Sequence, residues 1–289
     1  MKRFFCFLIL IISMLWGCSS QPSGQIAATT LPVYQFTDAL CRGTGITVTR
    51  LVTESVSCLH DYSLNVKQVK AVEASELVVI SGAGLEEFME DLLCDKQVVN
   101  AASGIAILEC THEHDHDHDH GHHHETDSHI WLDPACAKVM AQNICDGLCA
   151  QYPEQADIFE KNLQVLTEEL NALQIYGEET LSSLACRELV TFHDGFSYFA
   201  NAFDLHILEA VEEESGSEAS AQELKHLIGI VAEHDLPAVF TEVNGSVSAA
   251  EVIARETGAA QFSLDMAMGG DSYFDAMYHN INTIKEAMG

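Results

Sequence analysis

Basic residues are scarce in this sequence, which has 13 lysines and arginines against 44 aspartates and glutamates. The formal net charge of −31 at pH 7 argues against binding to nucleic acid or to anionic lipid, because both ligands are negatively charged. The same excess of carboxylates favours solubility and attracts cations. We therefore expect no nucleic-acid partner.

Several motifs that mark enzymes or structural metal sites are also missing. The chain has no nucleophile elbow and no CxxC repeat. Ser81-Gly82-Ala83-Gly84 begins like a dinucleotide-binding loop, but the third glycine is absent, and a tight strand-to-helix turn explains it. We therefore predict that the protein is not an enzyme. A secreted zinc hydrolase stays open as an alternative.

The sequence contains one long apolar run, Phe4 to Trp16, which follows Lys2 and Arg3. Thirteen residues are too few to span a bilayer comfortably as a helix, so this pattern predicts a secretory signal over residues 1–17. No other stretch is apolar enough to cross a membrane. The remaining chain is therefore predicted to be a globular body outside the cytoplasm.

A cysteine follows the apolar run directly. The motif Leu15-Trp16-Gly17-Cys18 resembles the lipobox of bacterial lipoproteins, in which the cysteine carries the lipid. We predict that Cys18 anchors the protein to the outer face of the cytoplasmic membrane, with residues 18–25 as a short tether. A plain secretory signal with an ordinary cysteine is the alternative.

Residues 112–124 pack eight histidines into thirteen positions, and acidic residues fill most of the gaps. Such a polar segment cannot form a core, and its imidazoles and carboxylates are ligands for divalent metals. Because a loop loses entropy when it closes on an ion, we expect weak binding there and a tighter site elsewhere. The low-affinity candidates are His112, His114, His116, His118, His120, His122, His123 and His124.

Eight cysteines follow Cys18, an even number in a chain predicted to be exported, so disulfides are permitted but their pairing stays open. Cys145 and Cys149 are one helical turn apart and form a candidate pair. The others are Cys41, Cys58, Cys94, Cys110, Cys136 and Cys186.

Short β-rich runs alternate with helical spacing through both halves of the chain, which predicts an α/β fold with parallel sheets. A long periodic stretch near the middle predicts a rigid helix that joins two lobes. We predict an N-terminal lobe over residues 26–152, a linking helix over 153–185 and a C-terminal lobe over 186–289. The expected strands are Ile26–Leu31, Ile46–Val52, Leu77–Ile80, Gln97–Asn100, Glu188–Phe192, His206–Ala210, Ala238–Thr241 and Gln261–Leu264.

Four ligand-type residues follow predicted strands or lie in loops, two from each lobe: His60, His129, His193 and Asp265. Ligands of such folds bind at the carboxyl ends of strands and between lobes, so one cleft could collect all four. Three imidazoles and a carboxylate suit a tetrahedral zinc ion. Asp265 could instead cap a helix, and water or a histidine of the loop could then be the fourth ligand.

The chain resembles the metal-specific solute-binding proteins of bacterial ABC importers, the family 9 group. The resemblance covers about Ile26 to Met288 and is carried by NVKQVKAVEASELVVISGAGLEEF, HIWLDP, FHDGFSYFA, VFTEVNGS and SYFDAMYHN. A histidine-rich acidic insert before HIWLDP is typical of the zinc-uptake branch. The resemblance implies two α/β lobes bridged by a long helix, which agrees with the strands and helices predicted above.

The resemblance also implies a function. His60, His129 and His193 match the three histidine positions of the family's metal site, and Asp265 matches its late carboxylate. The implied protein is a high-affinity extracytoplasmic zinc receptor that delivers Zn²⁺ to an ABC permease and its ATPase. Its oligomeric state stays open, and a monomer is the simplest expectation. Histidine at position 193 favours zinc over manganese, because imidazole is the softer ligand. A manganese or iron receptor and a second role in cell adhesion stay open, and we interpret Glu242 as structural or as a support for a ligand.

Overall fold

The computed structural model describes residues 25–54, 56, 59, 62–108, 126–210, 220–243 and 245–289. Within these ranges the chain forms two four-stranded parallel sheets with helices on their faces. The predicted fold class, two α/β lobes joined by a long helix, is confirmed. The predicted signal peptide, Cys18, His60 and residues 112–124 lie outside the described residues.

The N-terminal sheet has the strand order β2-β1-β3-β4, and every neighbouring pair is parallel. Because the central strands β1 and β3 are covered on both faces, they consist of apolar residues. The elements are β1 (Ile26–Ala28), α1 (Leu31–Cys41), β2 (Val48–Arg50), α2 (Val66–Ala74), β3 (Leu77–Ile80), α3 (Glu90–Leu93) and β4 (Val98–Asn100).

A tight turn follows β3, as the sequence predicts. Gly82 and Gly84 adopt positive φ angles of 83° and 84°, which glycine tolerates without strain. The buried carboxylate of Glu86 accepts hydrogen bonds from the backbone N–H groups of Ser81 and Gly82 and from the hydroxyl of Thr29. Burial raises the pKa of Glu86, while these three donors oppose that rise. The carboxylate thereby holds the turn against the end of β1.

Two long helices connect the sheets. Asp133 caps the first, α4 (Pro134–Gln151), by accepting a hydrogen bond from the N–H of Ala135. The second, α5 (Ala156–Leu181), follows a short 3-10 turn, and its 26 residues span about 39 Å at 1.5 Å per residue. The predicted linking helix is therefore present, although the lobe boundaries at 152 and 186 stay predictions.

Helix α5 packs against both lobes, and its apolar stripe is therefore buried from Phe159 to Leu181. Near its start, the side-chain amide of Asn162 donates hydrogen bonds to the carbonyls of Leu40 and Arg42 at the end of α1, at 2.8 and 2.9 Å. Near its end, the Tyr176 hydroxyl donates to Asn282 Oδ1 at 2.6 Å, in the last helix of the chain.

The C-terminal sheet has the order β6-β5-β7-β8 and is again parallel throughout. Helix α7 begins with a capping box, in which Ser220 and Glu223 satisfy each other's backbone N–H groups. The elements are β5 (Glu188–Thr191), α6 (Ser197–Ala202), β6 (His206–Ala210), α7 (Ala221–Glu233), β7 (Ala238–Glu242), α8 (Ser248–Thr257), β8 (Ala260–Leu264) and α9 (Tyr273–Met288).

One hydrophobic core runs from the N-terminal sheet through α4 and α5 to α9 and the C-terminal sheet. Trp131 is fully buried where the lobes meet, and its indole N–H donates to the carbonyl of Met266 at 2.8 Å. Gly177 of α5 lies so close to the ring of Phe203 that a side chain at this position would overlap the ring. No helix in the described part of the chain is long and apolar enough to cross a membrane.

Two local features differ from expectation. Helical spacing over Leu85–Leu93 predicts one helix, but the segment forms a 3-10 turn at Glu87–Met89 and the single turn of α3. Helix α6 is not predicted from the sequence, because the aromatic residues in this segment indicate burial in the core but not a helix. These aromatic side chains are indeed buried, and six residues are too short a window for helical periodicity to be read.

Candidate metal centre

Two of the predicted ligands lie side by side in the cleft between the lobes. His129 immediately precedes a 3-10 turn that leads into α4, and His193 lies two residues beyond the end of β5. Their Nε2 atoms are 3.5 Å apart, although 64 residues separate them in the sequence. Both rings are buried, and they meet edge to face with centroids 5.1 Å apart.

A buried carboxylate lies behind each imidazole. Asp127 Oδ1 is 2.9 Å from His129 Nδ1 and also accepts the backbone N–H of His129. Glu242 Oε1, at the end of β7, is 3.5 Å from His193 Nδ1. A carboxylate at Nδ1 favours the tautomer that carries its proton there. Both Nε2 atoms then present lone pairs towards the same point.

The separation of the two Nε2 atoms fits a shared zinc ion. Nitrogens bound to tetrahedral zinc lie about 2.0–2.1 Å from the metal, which places any two of them about 3.3–3.4 Å apart. The observed separation is 3.5 Å. At this distance one ring can donate to the other when no metal is bound, and a cation between the rings would bind the lone pairs of both nitrogens.

Gly195 makes room for this arrangement. A Cβ atom at this position would lie 2.8 Å from His129 Nδ1, 2.7 Å from His193 Cδ2 and 2.7 Å from Met266 Cε. All three distances are shorter than real Cβ contacts allow. The same distances show that the buried Met266 side chain packs beside the histidine pair. The site therefore requires glycine at position 195, because a side chain there would overlap the two histidine rings.

Asp265 lies at the carboxyl end of β8, on the same sheet edge as His193 and Glu242. Its Oδ1 atom accepts the backbone N–H of Ala267 at 2.8 Å, and its backbone exchanges two hydrogen bonds with the side chain of Asn280. The side chain thus stabilises its own turn. Its role as the fourth ligand stays a prediction.

Two described residues near His60, Leu59 and Tyr62, are held in place by contacts within the N-terminal lobe. Leu59 is fully buried, and its carbonyl accepts the N–H of Tyr62 at 3.0 Å. The Tyr62 hydroxyl donates to Glu54 at 2.9 Å and accepts from the side chain of Gln68 at 2.6 Å. Among the described residues, no three His, Cys, Asp or Glu side chains form a group that could hold a metal ion. Of the proposed ligands that these residues include, which are His129, His193 and Asp265, the two histidines lie together.

Cysteine thiols do not extend this set. Burial is the first cause that raises the pKa of Cys41, Cys136 and Cys145 to about 12, so these groups remain protonated thiols near neutral pH. Among the cysteines that the structure describes, all six carry free thiols, including Cys145 and Cys149.

Sequence reasoning missed Asp127, Gly195 and Met266. Asp127 lies two residues before His129, a spacing that a turn could have suggested. Nothing in the sequence marks Gly195 or Met266, because their importance comes from packing across the cleft. Glu242 lies where a support for a ligand would be, close to His193 Nδ1.

Comparison with known proteins identifies matches over nearly the whole described chain. The model of the family "ZnuA: Zinc-uptake complex component A periplasmic" matches residues 26–287. The "Zinc-binding lipoprotein AdcA" of Streptococcus pneumoniae is 28% identical over an alignment of 301 residues, and the alignment covers 97% of this chain and 59% of AdcA. The "High-affinity zinc uptake system protein ZnuA" of Bacillus subtilis is 28% identical over an alignment of 282 residues, and the alignment covers 91% of this chain and 87% of that protein.

Solved structures show the same architecture. A crystal structure of ZnuA superposes with a TM-score of 0.80 at 29% sequence identity, and the match covers 91% of this chain and 99% of that one. The AdcA relative is longer, and this chain spans 59% of its length.

Proposed function

Because this chain belongs to the family of the periplasmic component A of zinc-uptake complexes, we propose that it is a high-affinity zinc receptor. It binds Zn²⁺ between its lobes outside the cytoplasm and delivers the ion to an ABC permease, which an ATPase drives. Its proposed ligands are His60, His129 and His193, with Asp265 as the fourth. The family is named for a component of zinc-uptake complexes, which supports capture and delivery rather than catalysis.

The observation that carries the proposal is the histidine pair. The two Nε2 atoms lie 3.5 Å apart, and a carboxylate backs each ring. Carboxylates in this position fix the orientation of a metal-binding histidine and raise its basicity. The site therefore offers two oriented imidazole ligands from two lobes before the ion arrives.

The same pair favours zinc over manganese. Imidazole nitrogen suits zinc, whereas manganese prefers carboxylate, carbonyl and water oxygens. In this site the carboxylates of Asp127 and Glu242 are placed at the Nδ1 side of each ring, where they support the ligands. The distance between the two nitrogens is that of a tetrahedral site. Zinc favours such a site, whereas manganese favours octahedral coordination by oxygen.

A competition titration tests the metal preference. Metal-free protein is titrated with Zn²⁺ and with Mn²⁺ by calorimetry, and each is then challenged with the other metal. We expect one tight zinc site per chain that a large excess of manganese does not empty. Preferential manganese binding, or no tight metal site, would overturn the proposal.

We further propose that the protein is a monomer that Cys18 anchors to the outer face of the cytoplasmic membrane. The lipobox-like motif before Cys18 supports this assignment, and the relative AdcA is named a lipoprotein. Metabolic labelling with a radioactive fatty acid checks the anchor. Label that persists after Cys18 is replaced by alanine would contradict it.

We also propose that residues 112–124 collect zinc weakly and raise its concentration near the cleft. The eight histidines of this segment and its acidic residues support the role. Deletion of residues 112–124 is expected to remove the weak binding phase from a calorimetric titration and to leave the tight site unchanged. Loss of the tight site on deletion would show that the loop supplies an essential ligand.

A further inference from the structure

The loop that carries Asp265 and Met266 is tied to the N-terminal lobe along its length. We call residues 265–271 the bridging loop. The Trp131 indole N–H donates to the carbonyl of Met266 at 2.8 Å. Further along, the side-chain amide of Gln35 donates to the carbonyl of Asp271 at 2.6 Å. Gln35 belongs to α1, so both bonds cross between the lobes.

Arg50 makes the most extensive of these connections. It is the last residue of β2, and its guanidinium donates through Nη2 to the carbonyl of Met268 at 2.8 Å and through Nη1 to the carbonyl of Gly270 at 2.7 Å. Its Nε donates to the carbonyl of Val52 at 2.6 Å, in its own lobe. One planar cation thus joins three neutral acceptors, which the rigid geometry of arginine permits.

The Arg50 guanidinium connects two segments that each carry a proposed zinc ligand. Val52 begins the segment that leads to His60, and the bridging loop carries Asp265 and Met266. The carboxylates of Asp271 and Glu54, one from each lobe, lie close enough to interact electrostatically with the guanidinium. Arg50 therefore ties the end of β2 to the loop whose Met266 side chain packs beside the histidine pair.

We propose that Arg50 is a positioning residue that sets the spacing of the lobes and thereby the rate at which zinc leaves the cleft. This inference rests on the proposed zinc receptor function. Arg50 does not touch the ion. It acts by holding the bridging loop against the N-terminal lobe, so that opening the cleft requires its bonds to Met268 and Gly270 to break.

The test compares Arg50→Ala, Arg50→Lys and Arg187→Ala. Arg187 is a matched control, because its guanidinium also donates to backbone carbonyls, those of Leu181, Phe203 and Asp204, at a distance from the histidine pair and without joining the bridging loop. The zinc-loaded full chain is mixed rapidly with an excess of a chromogenic chelator, and the rate of zinc loss is recorded. Urea unfolding of each variant measures the loss of stability in parallel.

We expect Arg50→Ala to accelerate zinc loss by about 10-fold or more, because bonds from a charged donor contribute more than neutral ones. Arg50→Lys keeps the charge but cannot reach all three carbonyls, so its rate should be intermediate. Arg187→Ala should lose stability yet release zinc at the wild-type rate. Equal release rates for Arg50→Ala and wild type would overturn the proposal, as would equal acceleration by Arg187→Ala.

A metal-independent measurement separates this inference from the proposed function. Amide hydrogen exchange of the metal-free chain should be faster across the bridging loop in Arg50→Ala than in wild type. Failure of the wild-type chain to bind zinc would refute the receptor function, whereas unchanged exchange in the loop would refute the role of Arg50 alone.

Discussion

Replacing Gly195 by alanine is expected to lower zinc affinity by about 10- to 100-fold, the range for changes that misplace metal ligands. The added Cβ would meet both imidazoles and the Met266 methyl group at 2.7–2.8 Å. At least one of these groups must move, and a tilt of either histidine ring takes its Nε2 away from the shared point. Affinity is measured by competition with a chelator of known affinity.

Gly229→Ala is the matched control for this experiment. Gly229 lies in α7, and a Cβ there meets no atom within 4 Å. This variant should keep wild-type affinity and gain slightly in helix stability, since alanine favours helix over glycine. The φ angle of Gly195 lies outside the left-handed region, so crowding alone accounts for the expected loss. Wild-type affinity in Gly195→Ala would contradict the site geometry.

Replacing His129 and His193 together by alanine should abolish tight zinc binding, with affinity falling on the order of 10⁴-fold. Structural zinc sites bind with about 10–16 kcal/mol shared among four ligands, so each ligand contributes roughly 3 kcal/mol. The measurement is best made in the chain that lacks residues 112–124, because the weak phase would otherwise mask the loss. Calorimetry gives the stoichiometry and the affinity together.

A second double variant controls for a general loss of histidines. His226 and His234 lie on the surface of the C-terminal lobe, beside Glu209 and Glu188. Replacing both with alanine should leave the tight site intact. Melting curves of both variants are needed, because loss of His129 leaves the buried carboxylate of Asp127 without its imidazole partner. Unchanged zinc stoichiometry and affinity in the variant lacking His129 and His193 would reject the proposed site.

Much of the architecture follows from local patterns in the sequence. Strands β3 and β6 coincide with their predicted ranges, because each is a short run bounded by turn-forming or polar residues. Helical spacing also predicts α9 over Tyr273–Met288, as observed, and α5 ends four residues before residue 185, the predicted end of the linking helix. Helical periodicity over such long segments is a strong signal. The convergence of strand ends from both lobes follows from the parallel order of the sheets.

The details of the site depend on contacts that sequence patterns do not contain. The spacing of His129 and His193 is set by the way α4 and the end of β5 approach each other across the cleft. Gly195 matters because of Met266, which is distant from it in the sequence, and no local rule connects the two. Nothing in the sequence distinguishes Arg50 from any other residue at the end of a strand, because the carbonyls it contacts, those of Met268 and Gly270, belong to the other lobe.

The continuous hydrophobic core couples zinc binding to the unfolding of the whole chain, and therefore to its susceptibility to proteases. Since apolar packing continues from one sheet to the other, heating is expected to melt both lobes in a single cooperative transition. Captured zinc then shifts that transition for the entire polypeptide. Proteases that cut transiently opened chains would consequently spare the loaded form, even at bonds remote from the ion.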